Sequence, residues 1–203
     1  MMNYISDQTF DELTSYLTAG GWVESETTEG VVISTKSFPE GQAVKSVGVL
    51  NDSPPDQVIK LIIDCNMRKK LSTNLAQVFC IESGDGCDVI YQEFVPNSMF
   101  VANRDMVIAR RWKYLEDGSV VIVMKSVEHA KYPPHPSGTP VRAQVVRQAV
   151  SLTPIEENRT VFTQINQMDL NGYVPSSITN YVMKKMPIEL VSKLGEGMRL
   201  LKQ

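Results

Sequence analysis

Between Val31 and Met168 the chain is a succession of eight short runs rich in β-branched and aromatic residues, and after them it becomes one long amphipathic helix. The runs are Val31 to Phe38, Val44 to Leu50, Ala76 to Glu82, Asp88 to Val95, Met106 to Tyr114, Ser119 to Val127, Val141 to Leu152 and Thr160 to Met168. Turn residues separate them, which predicts mostly antiparallel strands. Asp117-Gly118 predicts a tight hairpin with a primed turn, and Gly84-Asp85-Gly86 is a looser form of the same signal. One interruption, Ser53 to Lys70, opens on Pro54-Pro55 and carries Val58, Leu61 and Ile62, the pattern of one or two short helices. A first helix opens at Ser6 or Asp7, places Phe10, Leu13 and Leu17 at helical spacing and stops at Gly20-Gly21, outside the main core.

The last helix starts near Pro175, where a proline costs no hydrogen bond. Its apolar stripe runs through Ile178, Tyr181, Val182 and Met186 and then through Val191, Leu194, Met198 and Leu201. Pro187 cannot donate to Met183 and predicts a kink or division. The order predicts an α+β fold, because a curved antiparallel sheet needs a cover for its concave face and the last helix is the natural cover.

Composition narrows the functional classes. With 203 residues, 42% hydrophobic and 21% charged, the chain is expected to form one domain over residues 1–203. A net charge of −3 gives no electrostatic footprint for nucleic acid. Cys65, Cys80 and Cys87 lack CxxC spacing and read as reduced thiols. The acidic N-terminus lacks a signal-peptide pattern and no run of apolar residues is long enough to span a bilayer, so a cytoplasmic monomer is expected. His129 and His135 lie in a Pro-rich stretch without a second ligand group, so neither a metal nor a cofactor is expected. No GxSxG, GxxxxGK or strand-following GxGxxG occurs. Asp64, Asp105, Glu128 and Asp169 are candidate acids, but carboxylates at strand ends more often fix turns, and enzyme activity has no positive support.

Alternation singles out two charges. Arg110 shares a strand face with Met106, Ile108, Trp112 and Tyr114, and Glu93 shares one with Val89, Tyr91 and Val95. A buried charge is tolerable only when paired or when it lines a space that admits a polar group. The two residues either pair across adjacent strands, line a cavity, or face solvent through a register one residue away. The loop from Pro96 to Arg104 carries Met99, Phe100 and Val101 in succession, which either tuck back onto the domain or form a lid that touches a membrane; Lys184-Lys185 would attract anionic lipid headgroups.

Several segments in one order resemble the START domains (steroidogenic acute regulatory protein-related lipid transfer). They are Asn103-Arg-Asp-Met-Val-Ile-Ala-Arg110, Ser126-Val-Glu-His129 followed by Pro133-Pro134 and Val141-Arg142-Ala143, Met168-Asp-Leu-Asn-Gly-Tyr-Val-Pro175, and Val44 to Pro54 with Gly48 before the turn. The resemblance implies a helix-grip fold, a curved antiparallel β-sheet wrapped around the C-terminal helix and enclosing a tunnel for one lipid. It implies that Glu93 and Arg110 meet the lipid's polar end and that Pro96 to Arg104 is the lid. Met106 stands where the family commonly has an aromatic and Ile108 where choline-lipid carriers can place one, and the wording around Val127-Glu-His129 and Asp169 to Pro175 is most similar to the small soluble sterol-carrying members.

The expected function is therefore non-enzymatic binding and intermembrane transfer of one lipid, a sterol first and a phospholipid next, through transient contact with a membrane surface. Tyr91, Met106, Ile108, Trp112, Met124, Ile178, Val182 and Met186 would supply the apolar walls. The alternatives are a lipid-responsive sensor or scaffold acting on a protein partner, and an enzyme on the wider superfold.

Overall fold

Ser6 starts the first helix by accepting a hydrogen bond from the Thr9 amide at 3.2 Å, and the helix α1, Asp7–Thr18, buries Phe10, Leu13 and Leu17. The computed structural model describes residues 4–96, 101–156 and 158–201. After α1 come β1 (Val23–Thr28), β2 (Val31–Phe38), β3 (Gly41–Leu50), α2 (Pro55–Ile63) and α3 (Cys65–Leu71). They are followed by β4 (Leu75–Gly84), β5 (Cys87–Phe94), β6 (Arg104–Tyr114), β7 (Val120–Ser126), β8 (Val141–Arg142), β9 (Gln144–Glu156) and β10 (Arg159–Asp169). The final rod is α4 (Ser176–Asn180), a π-helical turn (Tyr181–Lys185) and α5 (Met186–Leu201).

The strands form one sheet in the order β1-β2-β3-β10-β9-β7-β6-β5-β4, with β8 pairing in parallel with the start of β6. Every other neighbour pair is antiparallel. Both faces are covered. On the concave face Ile33, Val44, Ile90, Met106, Ile108, Ile122, Val150 and Phe162 pack with α2 and with Val191, Leu194 and Met198 of α5. On the convex face Val89, Val107, Val121, Val123, Ala149 and Ile165 pack beneath α1.

Three local expectations change. The polar run Val23–Thr28, with no apolar alternation to mark it, is a strand because it pairs with β2. The primed two-residue turn lies at Glu29–Gly30, with φ of 53° and 75°. At Asp117-Gly118 only Gly118 is left-handed (φ 80°), and the Leu115 amide donates to the Ser119 carbonyl at 2.8 Å, so that hairpin closes through a longer loop. Third, Pro187 stands in the first turn of α5, and the turn just before it changes form. It widens: the Met186 amide donates to the Tyr181 carbonyl five residues back. Pro187 has no N–H to offer to the turn before it, and the extra residue absorbs that deficit.

The widened turn also rotates the apolar stripe by about 100°, one residue's worth of helix. Met183, Ile188 and Leu190 pack against the concave core, whereas Ile178, Val182 and Met186 are half-buried and stand outside that cluster.

Candidate functional site

The register of β5 on β6 decides what the buried charges do. Arg110 lies directly opposite Asp88, and Glu93 lies opposite Asp105. Arg110 is 1% exposed; its Nε donates to Asp88 Oδ1 at 2.7 Å and its second fork nitrogen to Oδ2. Two further N–H groups reach the carbonyls of Ile62 and Ile63, at 2.9 and 2.8 Å, in the last turn of α2. A cation at a helix C-terminus meets the negative end of the peptide dipoles, so Arg110 is satisfied twice over.

A Glu93–Arg110 pair, one of the three arrangements left open by alternation, does not form. Glu93 lies on the other face, where it accepts from Asn103 Nδ2 at 2.7 Å and Gln77 Nε2 at 3.1 Å. Tyr91 shares that convex face, stacked on Phe79 with ring centroids 5.1 Å apart and 5.7 Å from Tyr132. Burial, with the charges of Asp105 and Glu93 next, pushes its phenol up to about 12. Neither Glu93 nor Tyr91 lines the interior. Val89 and Tyr91 suggested a core-facing row because β5 is apolar on both faces, one under α2 and α5 and the other beneath α1 and its neighbours.

The concave wall does carry Met106, Ile108 and Met124, all buried, and half-buried Trp112. Beside them stands a cation that alternation does not reveal. Arg68 projects from α3 and donates to Gln92 Oε1 at 2.9 Å, while its Nε is fully buried without a partner. No carboxylate of the described residues pairs with it, since Asp88 is held by Arg110. Burial, and then repulsion from Arg110, lowers the Arg68 guanidinium to about 10. Gln92, 3% exposed, also donates weakly to the Met106 sulfur at 3.9 Å. Arg68 escaped notice because Arg68-Lys69-Lys70 reads as a solvated basic turn; only packing of α3 over β4 and β5 turns the first of the three inward.

The candidate acids have structural duties. Asp64 caps α3 through the amides of Asn66 (2.7 Å) and Met67 (3.1 Å), and Asp169 accepts from the Asn171 amide at 2.9 Å. Asp105 holds Arg142 with two bonds of 2.9 Å, and Arg142 in turn binds the carbonyls of Tyr132 and Pro133. Glu128 is exposed. His129 meets Glu82 at 2.9 Å and His135 meets Ser137 at 2.7 Å. Among the described residues no group of three or more His, Cys, Asp or Glu side chains could hold a metal, and no helix is long and apolar enough to cross a membrane.

Of the expected lid, Met99 and Phe100 lie outside the described residues; Val101 is buried at 6% exposure. Lys184 and Lys185 are exposed on the π turn. The loop into the last helix is held by buried Arg104, which donates to the carbonyls of Leu170, Asn171 and Tyr173 at 3.2, 3.1 and 3.0 Å. Tyr173 itself is 80% exposed.

An antiparallel sheet packed against a terminal helix is a fold shared with known proteins. Mouse StAR-related lipid transfer protein 5 is 24% identical over 188 residues, covering 89% of this chain and 87% of that protein. Rat steroidogenic acute regulatory protein, mitochondrial, is 26% identical over 180 residues, 86% of this chain and 62% of that one. Human STARD10 has the same fold at a TM-score of 0.85, with 23% identity over 97% of this chain and 81% of the other. Human StAR-related lipid transfer protein 5 matches at 0.84, with 20% identity over 97% of each. The START domain family pattern matches residues 9–203, which hold the whole sheet and the helix it grips, and the chain belongs to the START domain family.

Proposed function

We propose that this protein binds one lipid between the concave face of the sheet and the last helix and carries it between membranes without altering it. The observation that carries this reading is Arg68: an interior guanidinium with Gln92 as its partner, no ion-pair partner among the described residues, and an apolar wall around it. A ligand whose polar end is a phosphate or carboxylate supplies the missing charge, and hydrocarbon against Met106, Ile108, Trp112 and Met124 supplies the affinity, at about 25 cal/mol per Å² removed from water.

A sterol is the second reading, favoured by the likeness to a steroidogenic regulatory protein. Its hydroxyl would bond Arg68 or Gln92 but leave the charge unbalanced, so an acidic lipid ranks first. The acids and histidines already engaged in caps and ion pairs favour a carrier over an enzyme. Entry and exit need the last helix to loosen at a membrane, which exposed Lys184, Lys185 and Tyr173 would meet, the charges on anionic headgroups and the aromatic ring at the interface. The protein would act as a cytoplasmic monomer.

The deciding experiment is transfer of labelled phosphatidate, fatty acid and sterol from donor to acceptor vesicles, with Arg68→Met beside the wild type. Acidic lipids should move fastest and lose that advantage in the variant. Transfer of none of the three refutes the carrier reading.

A further inference from the structure

The concave wall holds a second polar place, away from Arg68. Ser46 on β3, Gln164 and Asn166 on β10 and Gln148 on β9 share the face of Val44, Phe162 and Val150 in the apolar core. The ladders set them side by side, Ser46 opposite Gln164 and Gln148 opposite Asn166, with Met124 of β7 beyond Gln148. Ser46, Gln164 and Asn166 are 1%, 6% and 8% exposed, and Gln148 is half-buried. None of the four side chains bonds a described residue, and Asn166 Oδ1 is fully buried without a partner.

Native interiors rarely leave buried carboxamides unpaired, because each one forfeits its bonds to water. Asn166 Oδ1, on an apolar wall with Ser46, Gln148 and Gln164 beside it, therefore marks a place where something other than the protein completes the bonding. The row carries no charge, and amides and hydroxyl together offer both donors and acceptors. Its complement is a group that also does both. A hydroxyl qualifies, since it can donate to Asn166 Oδ1 while accepting from a neighbouring amide; an ester carbonyl, which only accepts, does not.

We propose that Ser46, Gln148, Gln164 and Asn166 form a second ligand subsite that takes a hydroxyl in the hydrocarbon part of the lipid. This rests on the carrier reading, with the lipid's acidic end at Arg68 and Gln92. The two places are separated by the strands between β10 and β5, four ladder steps of ~4.8 Å along the curved wall. The hydroxyl therefore lies well down the chain from the acid, and the ligand class is a hydroxylated acidic lipid.

Native mass spectrometry of equimolar pairs tests this directly. Each pair contains an octadecanoyl chain with and without a mid-chain hydroxyl, once as the free acid and once as the monoacyl glycerol phosphate. The wild type should retain the hydroxylated member of at least one pair about tenfold better, the effect of one well-made hydrogen bond. Asn166→Leu combined with Gln164→Met should abolish the preference while plain chains still bind, and the milder Gln148→Met should reduce it. These variants should melt no lower than the wild type, because they remove unpaired groups and not contacts. Equal binding of both members in both pairs overturns the subsite and leaves the carrier reading standing; binding of none of the four compounds overturns both. A variant that melts far lower yet keeps the preference also overturns the subsite, since the row would then be structural.

Discussion

Arg110 and Asp88 face each other across β5 and β6, 2.7 Å apart at Nε and Oδ1, and the same guanidinium closes the last turn of α2. One buried cation thus fastens a helix to two strands, and its bonds are all spent on the protein.

Replacing Arg110 by Met is therefore expected to act on folding first. The substitution leaves Asp88 with its charge at 8% exposure and two helix carbonyls unpaired. The expected loss is about 3–5 kcal/mol in urea unfolding, as for other broken buried pairs, and Asp88→Asn in the same chain should recover part of it. A stability change below about 1 kcal/mol with lost lipid binding would return Arg110 to the ligand site.

Arg68 predicts the reverse pattern. Arg68→Met removes a guanidinium that, among the described residues, has one hydrogen bond and no ion-pair partner, so stability should change by no more than about 1 kcal/mol. Binding of an acidic lipid should weaken at least about tenfold, and Arg68→Lys should keep part of it because the charge remains. Isothermal titration beside thermal melting separates the two effects.

The two glycines of α5 should respond with opposite signs. Nothing lies within 4 Å of a Cβ added at Gly195, so Gly195→Ala should stabilise by about 0.5–1 kcal/mol through helix propensity. At Gly197 the same atom would stand 2.9 Å from Leu71 Cδ1 and 3.0 Å from Leu61 Cδ1. Gly197→Val should push α5 from α2 and α3, cost about 1–3 kcal/mol, and speed lipid exchange between vesicles. Slower exchange in that variant would show that α5 does not gate the interior.

Alkaline pH should loosen the last helix. Burial, and then the hydrogen bond to Glu189 at 2.6 Å, pushes the Tyr181 phenol up to about 12. Its folded value lies above the ordinary value near 10, so the proton is held more tightly in the folded state. That contribution is complete below about pH 10 and is lost as pH rises toward about 12. Unfolding followed across this window should show a smaller decline in Tyr181→Phe; an identical decline would assign the effect elsewhere, with Tyr91, also near 12, as the next group to replace.

The periodicity of the chain by itself determined the order of the helices and of most strands, β1 and the separate β8 excepted, and the choice of an antiparallel sheet, because period-2 and period-3.6 patterns follow from backbone geometry alone. It also marked Arg110 as buried. It could not name the partner: Asp88 and Glu93 are both acids on β5, an odd number of residues apart, and only the ladder register decides which of them meets Arg110. A strand covered on both faces looks apolar in either phase, so Tyr91 and Glu93 gave no sign that they face outward. The phase of the last helix was likewise beyond local pattern, since the π turn before Pro187 exchanges Val182 and Met186 for Met183 at the core. Arg68 and Gln92, and separately Ser46 and the carboxamides of β9 and β10, come from segments far apart in the chain, and each group is brought together only by tertiary packing. What a charge or an amide does inside this protein is set by the neighbours that tertiary packing brings or withholds.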